Sequence, residues 1–135
     1  MKKIILVLMM SMFVLSGCSD KENLKISDLE GYWVDEHIYK NDLGVDKVIQ
    51  FRDDNKMIVY SYYDKGTTVY TMKNKELYYN KIIFSINNDD EVIELEKINN
   101  DKYKYSVNDE NLYIIKINEN EAEKLIKIIE QNSEY

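Results

Sequence analysis

From residue 28 onward, apolar and polar side chains alternate with a period of two, in short runs separated by clusters of Asn, Asp, Lys and Gly. That alternation is the mark of strands with one face buried and one face wet. The runs are Tyr32 to Lys40, Asp46 to Arg52, Lys56 to Tyr63, Thr67 to Met72, Glu76 to Tyr79, Lys81 to Asn87, Glu91 to Ile98, Lys102 to Val107 and Asn111 to Ile117. Between them lie turn sequences such as Asn41-Asp42-Leu43-Gly44, Asp64-Lys65-Gly66, Asn87-Asn88-Asp89-Asp90 and Asn99-Asn100-Asp101. Asn and Asp tolerate left-handed backbone, so few glycines are needed. Connections this short leave no room for crossover helices, and consecutive strands are expected to pair antiparallel.

Alternation also assigns faces. Ile49 and Phe51, Ile82, Phe84 and Ile86, Ile93 and Leu95, and Tyr103, Tyr105 and Val107 are predicted to point inward. Their neighbours Lys81, Glu94, Glu96, Lys102 and Lys104 point to water. For Lys56 to Tyr63 the pattern does not choose a face. The last segment changes period: Ala122, Leu125, Ile126 and Ile129 fall at i, i+3, i+4 and i+7, with Asn118 as a cap and Glu119, Glu121 and Glu123 in the first turns. This predicts an amphipathic helix packed on the sheet. The expected fold is all-β, an antiparallel up-and-down meander of about eight strands with a C-terminal helix, closed as a barrel or folded as a two-sheet sandwich.

The N-terminus follows different rules. Lys2 and Lys3 precede Ile4 to Leu15, in which Ser11 is the only polar side chain, and small Ser16 and Gly17 follow. A membrane span needs about 20 apolar residues, so this stretch reads as a signal peptide. Leu15-Ser16-Gly17-Cys18 resembles the lipobox of bacterial lipoproteins. The resemblance implies diacylglycerol on the Cys18 thiol, cleavage ahead of it by a dedicated peptidase, and acylation of the new amino group. Each buried methylene adds about 0.8 kcal/mol, and two or more chains make a lasting anchor. The expected organisation is therefore a signal peptide at 1–17, a lipidated cysteine with a polar tether at 18–27, and one β domain with its helix at 28–135. The protein would sit in the cell envelope, on the extracytoplasmic side of a membrane, with the lipoprotein-processing enzymes as transient partners.

Composition narrows the function. Removing the leader leaves 118 residues, enough for one core without disulfides or structural metal, and Cys18 is the only cysteine. The remaining 16 cations face 25 carboxylates, a formal charge of −9. Scattered lysines among carboxylates give no basic stripe for nucleic acid, and keep the domain off anionic headgroups. Membrane contact is left to the anchor. Abundant Lys, Asn, Ile and Tyr, with no Pro, is also what AT-rich codons encode.

At Leu29-Glu30-Gly31-Tyr32-Trp33 the chain meets its first strand through a Gly-x-Trp step. With the meander and terminal helix, this looks like the lipocalin-like group of small bacterial lipoproteins. The resemblance implies that Gly31 turns the chain into the first strand and that Trp33 plugs the closed end of a barrel. A ligand inside would meet Trp33 and the inward Tyr103 and Tyr105. Eight strands enclose packed side chains or one small ligand.

Other chemistry is sparse. His37, the only histidine, is predicted to share a strand face with Asp35 and Tyr39, which is too few ligands for a metal. The acidic turns at Asp53-Asp54-Asn55 and Asn87 to Glu91 lack the glycine and distal glutamate of an EF-hand. No nucleophile elbow, phosphate loop or cofactor fingerprint appears, so catalytic residues, metal and cofactor are expected to be none. Twelve tyrosines are the remaining feature. Tyr60, Tyr62 and Tyr70, with Tyr63, Tyr78 and Tyr79, concentrate in the middle strands, where their rings form a candidate face for stacking on sugars or on a protein partner; β propensity with codon bias is the simpler account of them. The two functional expectations are a non-enzymatic lipoprotein binding a small apolar or envelope-derived ligand, and an interaction module such as an inhibitor, immunity or envelope-assembly protein.

Overall fold

In the computed structural model, the described residues are 21–63, 66–86 and 91–133. The leader and Cys18 lie outside them. A 3-10 turn at Ile26–Leu29 leads into nine strands: β1 (Gly31–Asp35), β2 (Lys47–Phe51), β3 (Lys56–Ser61), β4 (Gly66–Thr71), β5 (Lys73–Leu77), β6 (Lys81–Ile86), β7 (Glu91–Asn99), β8 (Lys102–Val107) and β9 (Glu110–Ile117). Helix α1 (Glu36–Lys40) follows β1, and α2 (Glu119–Ser133) ends the chain.

The sheet order is β4-β3-β2-β1-β9-β8-β7-β6-β5, antiparallel throughout. Pairing of the first strand with the last, Tyr32 opposite Ile117 and Val34 opposite Ile115, rolls the meander into a nearly closed barrel rather than a sandwich. The two ends of the sheet, β4 and β5, are separated only by buried Met72 and run in the same direction. They are two halves of one bent run: the first pairs with β3, the second with β6. Here the ring is completed by chain continuity instead of by hydrogen bonds. Counting that run once gives the eight-strand expectation, and counting its halves gives nine.

Two apolar clusters hold this together. The interior cluster contains Trp33, Phe51, Met57, Phe84, Leu95 and Tyr103 among others, and every inward-predicted residue lies in it or packs against it. The second lies outside the barrel, where Ala122 and Ile129 of α2, with Leu125 and Ile126, cover Val34, Val48 and Tyr60. The helix starts as predicted, because Asn118 Oδ1 accepts the Glu121 amide at 2.8 Å. β3 therefore buries side chains on both faces, Met57 inside and Ile58 and Tyr60 on the other face, with Tyr60 under the helix, which is why alternation could not orient it.

Three expectations are corrected. The first strand stops at Asp35, whose Oδ1 accepts the His37 and Ile38 amides (2.9 and 3.2 Å) and caps α1. Asp35, His37 and Tyr39 thus do not share a strand face; His37 is exposed, and its Nδ1 lies 3.2 Å from the Asn41 amide nitrogen. The fifth strand covers Lys73–Leu77 rather than Glu76 to Tyr79, since all five of its side chains are exposed and leave no apolar signal. Finally, the tether reading fails from Leu24 onward. Leu24 is buried in the interior cluster, and its amide donates to Tyr78 O at 2.8 Å, strapping the incoming chain across the β5–β6 turn.

Candidate functional site

The barrel interior divides into a filled end and a hollow end. The filled end is where β1 begins and β9 finishes. Trp33 is fully buried; its Nε1 donates to Leu29 O at 2.8 Å, and its ring meets Tyr103 edge-on at 5.3 Å between centroids. Lys116 Nζ lies 5.8 Å from the Trp33 ring centre. Gly31 permits this arrangement. Its φ is +132°, and a Cβ there would stand 2.7 Å from Lys116 Cε. Phe51 and Phe84 complete the layer, edge to face at 6.3 Å.

Toward the other end the side chains no longer meet, leaving a partly open cavity of about 510 Å³. Its floor and walls are Trp33, Ile49, Met57, Val59 and Ile114, with Tyr70 and Tyr105 on the flanks. Nearer the mouth come Ser61, Asp35, Asp46, Lys47, Glu91 and Asn108. The volume falls within the ~300–1,000 Å³ of small-molecule sites, and the mix of an apolar chamber with few polar groups is what such sites share.

Ser61 is the anomaly. It is 1% exposed and its Oγ has no hydrogen-bond partner among the described residues. Leaving such a group unmade costs about 1–3 kcal/mol, so native structures rarely keep one without reason. Tyr105 is also perturbed: burial first, then the Glu91 carboxylate and Tyr70, push its hydroxyl up to about 12. It is a neutral donor and acceptor at physiological pH. Asp46, Glu91 and Lys47 form no ion pair among the described residues, while Asp35 is engaged in capping α1.

The structure distributes the sequence candidates unevenly. Trp33 and Tyr105 line the cavity, whereas Tyr103 lies beneath it in the filled end, its hydroxyl also pushed up to about 12 by burial and then by Asp28. The tyrosine face is not assembled. Tyr60 lies outside the barrel under α2, its hydroxyl donating to Gln50 Oε1 at 3.0 Å. Tyr70 turns into the cavity, whereas Tyr62, Tyr63, Tyr78 and Tyr79 are exposed, with Tyr62 edge-on to Tyr63 at 5.4 Å. Strand alternation separates them, because paired residues on neighbouring strands share a face and Tyr60 opposes Thr67, not Tyr70. Of the acidic turns, Asp54 is held by Arg52 at 3.0 Å and Asn55 supplies the left-handed residue of the β2–β3 turn. Among the described residues no three His, Cys, Asp or Glu side chains converge as metal ligands do. Sequence reading missed Ser61; its signal was a polar residue two and four places after inward Val59 and Met57.

A nearly closed antiparallel barrel is compatible with a lipocalin-like fold. Comparison with known proteins finds no match to any family model, curated protein or solved structure.

Proposed function

We propose that this protein is a lipid-anchored, extracytoplasmic, non-enzymatic binding protein of lipocalin-like type whose barrel holds one small, mostly apolar ligand. The observation that carries the reading is the 510 Å³ cavity, apolar in its depth and lined by a buried hydroxyl with no partner among the described residues. The anchor is supported by the charged, apolar and small-residue succession of residues 2–17 and by Leu15-Ser16-Gly17-Cys18. Native mass spectrometry of the processed protein, released from its own host's membranes, tests the binding reading. A co-purifying small molecule lost on denaturation is expected; repeated recovery of a bare chain would overturn it. The anchor has its own test, since Cys18→Ala is expected to move the protein from membrane to soluble fraction and to abolish incorporation of labelled palmitate.

A second reading, a protein-interaction module, is favoured by the exposed Tyr62–Tyr63 pair beside the mouth, with Tyr63 74% exposed. Recovery of one host protein with the bare chain would favour it.

A further inference from the structure

We propose that the cavity selects single-chain amphiphiles with a neutral or cationic head, taken tail-first with a hydroxyl or amine at the level of Ser61, and discriminates against carboxylates of the same length. This inference rests on the ligand-binding reading above and gives that ligand its chemistry.

Depth and polarity are ordered along the cavity. On β3 the inward residues run Met57, Val59, Ser61, and Ser61 pairs with Lys47 at the first position of β2 and with Gly66 at the first of β4. The hydroxyl therefore belongs to the layer next to the mouth, and beneath it on that wall Val59 and Met57 are apolar. A tail fits below, against Ile49, Met57 and Trp33, and a head fits at Ser61. Serine offers one donor and two acceptor sites, so it satisfies an alcohol or an amine equally.

Charge then decides between heads. The rim brings together three half-buried carboxylates, Asp35, Asp46 and Glu91, and one exposed cation, Lys47. Lys47 can swing into water, whereas the half-buried acids are held at the opening. Glu91 also adds, after burial, to the upward shift of the Tyr105 hydroxyl on the cavity wall. A carboxylate head would lose hydration here without meeting an arginine fork or a buried lysine, and like charges at this distance repel. An ammonium meets complementary charge, and a hydroxyl is indifferent to it.

Trp33 is the chain's only tryptophan and lies on the cavity floor, so its emission reports occupancy. The experiment uses the full lipid-bearing protein in phosphatidylcholine vesicles at neutral pH, titrated with octanol, octylamine and octanoate. Octanol and octylamine are expected to change Trp33 emission saturably, with octanoate at least roughly tenfold weaker. The double variant Asp46→Asn, Glu91→Gln is expected to bring octanoate within about threefold of octanol and to weaken octylamine, while Ser61→Ala weakens octanol roughly three- to tenfold. Octanoate binding as tightly as octanol, or selectivity unmoved in the double variant, overturns the head-group inference and leaves the binding barrel standing. No saturable response to any of the three overturns the barrel reading itself.

Discussion

The two ends of the barrel obey opposite rules. At the filled end the largest rings interlock, the one indole N–H finds the Leu29 carbonyl, and a glycine gives way so that Lys116 can lie over Trp33. At the mouth the side chains stand apart, a hydroxyl goes unpartnered, and two half-buried carboxylates have no ion pair among the described residues. The same strands build both, so the difference lies in the choice of residues and not in backbone geometry. Proteins depart from local consistency mainly where function requires it, and here the departures collect at one end.

Breaking the filled end should have the largest effect. Trp33→Ala removes a fully buried indole and strands the Tyr103 ring; a loss of about 3–5 kcal/mol is expected in denaturant titrations followed by circular dichroism. Gly31→Ala comes next. The strained φ and the 2.7 Å approach to Lys116 together should cost about 1–3 kcal/mol, and adding Lys116→Ala should recover the steric part alone. The mouth should respond with the opposite sign: Ser61→Ala removes an unsatisfied buried hydroxyl and is expected to raise stability by about 1 kcal/mol, detectable as a higher denaturant midpoint at unchanged slope. A variant that is more stable yet binds octanol less well is the signature of a group kept for a ligand and not for the fold.

Alkaline pH sharpens the contrast further. Tyr103 and Tyr105 have folded-state values of about 12 against an ordinary 10, both raised first by burial. The folded state therefore holds these protons more tightly than the unfolded chain, and the resulting stability is intact below pH 10 and lost as pH climbs toward 12. Stability measured across that window should fall, and it should fall less steeply in Tyr103→Phe. At the acid side Glu36 is held below its usual range by its hydrogen bond to Lys102, opposed by partial burial and aided by Lys40. That contribution is present above the ordinary carboxylate range and disappears as pH drops through the lowered value. Because Glu36 is on the surface, only a small loosening of α1 is expected, visible as faster amide exchange at Ile38 to Asn41.

Much of the fold was legible because alternation is a direct consequence of one buried face. Phe84, Ile93, Leu95 and Tyr103 were assigned inward by parity alone and are fully or almost fully buried. The failures have local causes. α1 is a single turn in which Ile38 and Tyr39 continue the apolar rhythm, so only the cap at Asp35 betrays it. β5 is polar on both faces and holds its place through Ser85 Oγ donating to Lys73 O and through pairing with β6, which no periodicity reveals. The site was half visible. Trp33 and Tyr105 could be proposed as ligand contacts, but Ser61 required knowing which face of β3 turns inward, and α2 covers the other face too well for the sequence to say.

The Leu24 strap fixes more than the start of the domain. It fastens the chain to the β5–β6 turn, at the filled end. With lipid on Cys18, the six residues from there to Leu24 span at most about 20 Å. A stem that short would keep the filled end nearer the bilayer than the mouth, like a cup held by its base. Its contents would be exchanged with the surrounding fluid or with a neighbouring carrier, not drawn sideways from the leaflet beneath.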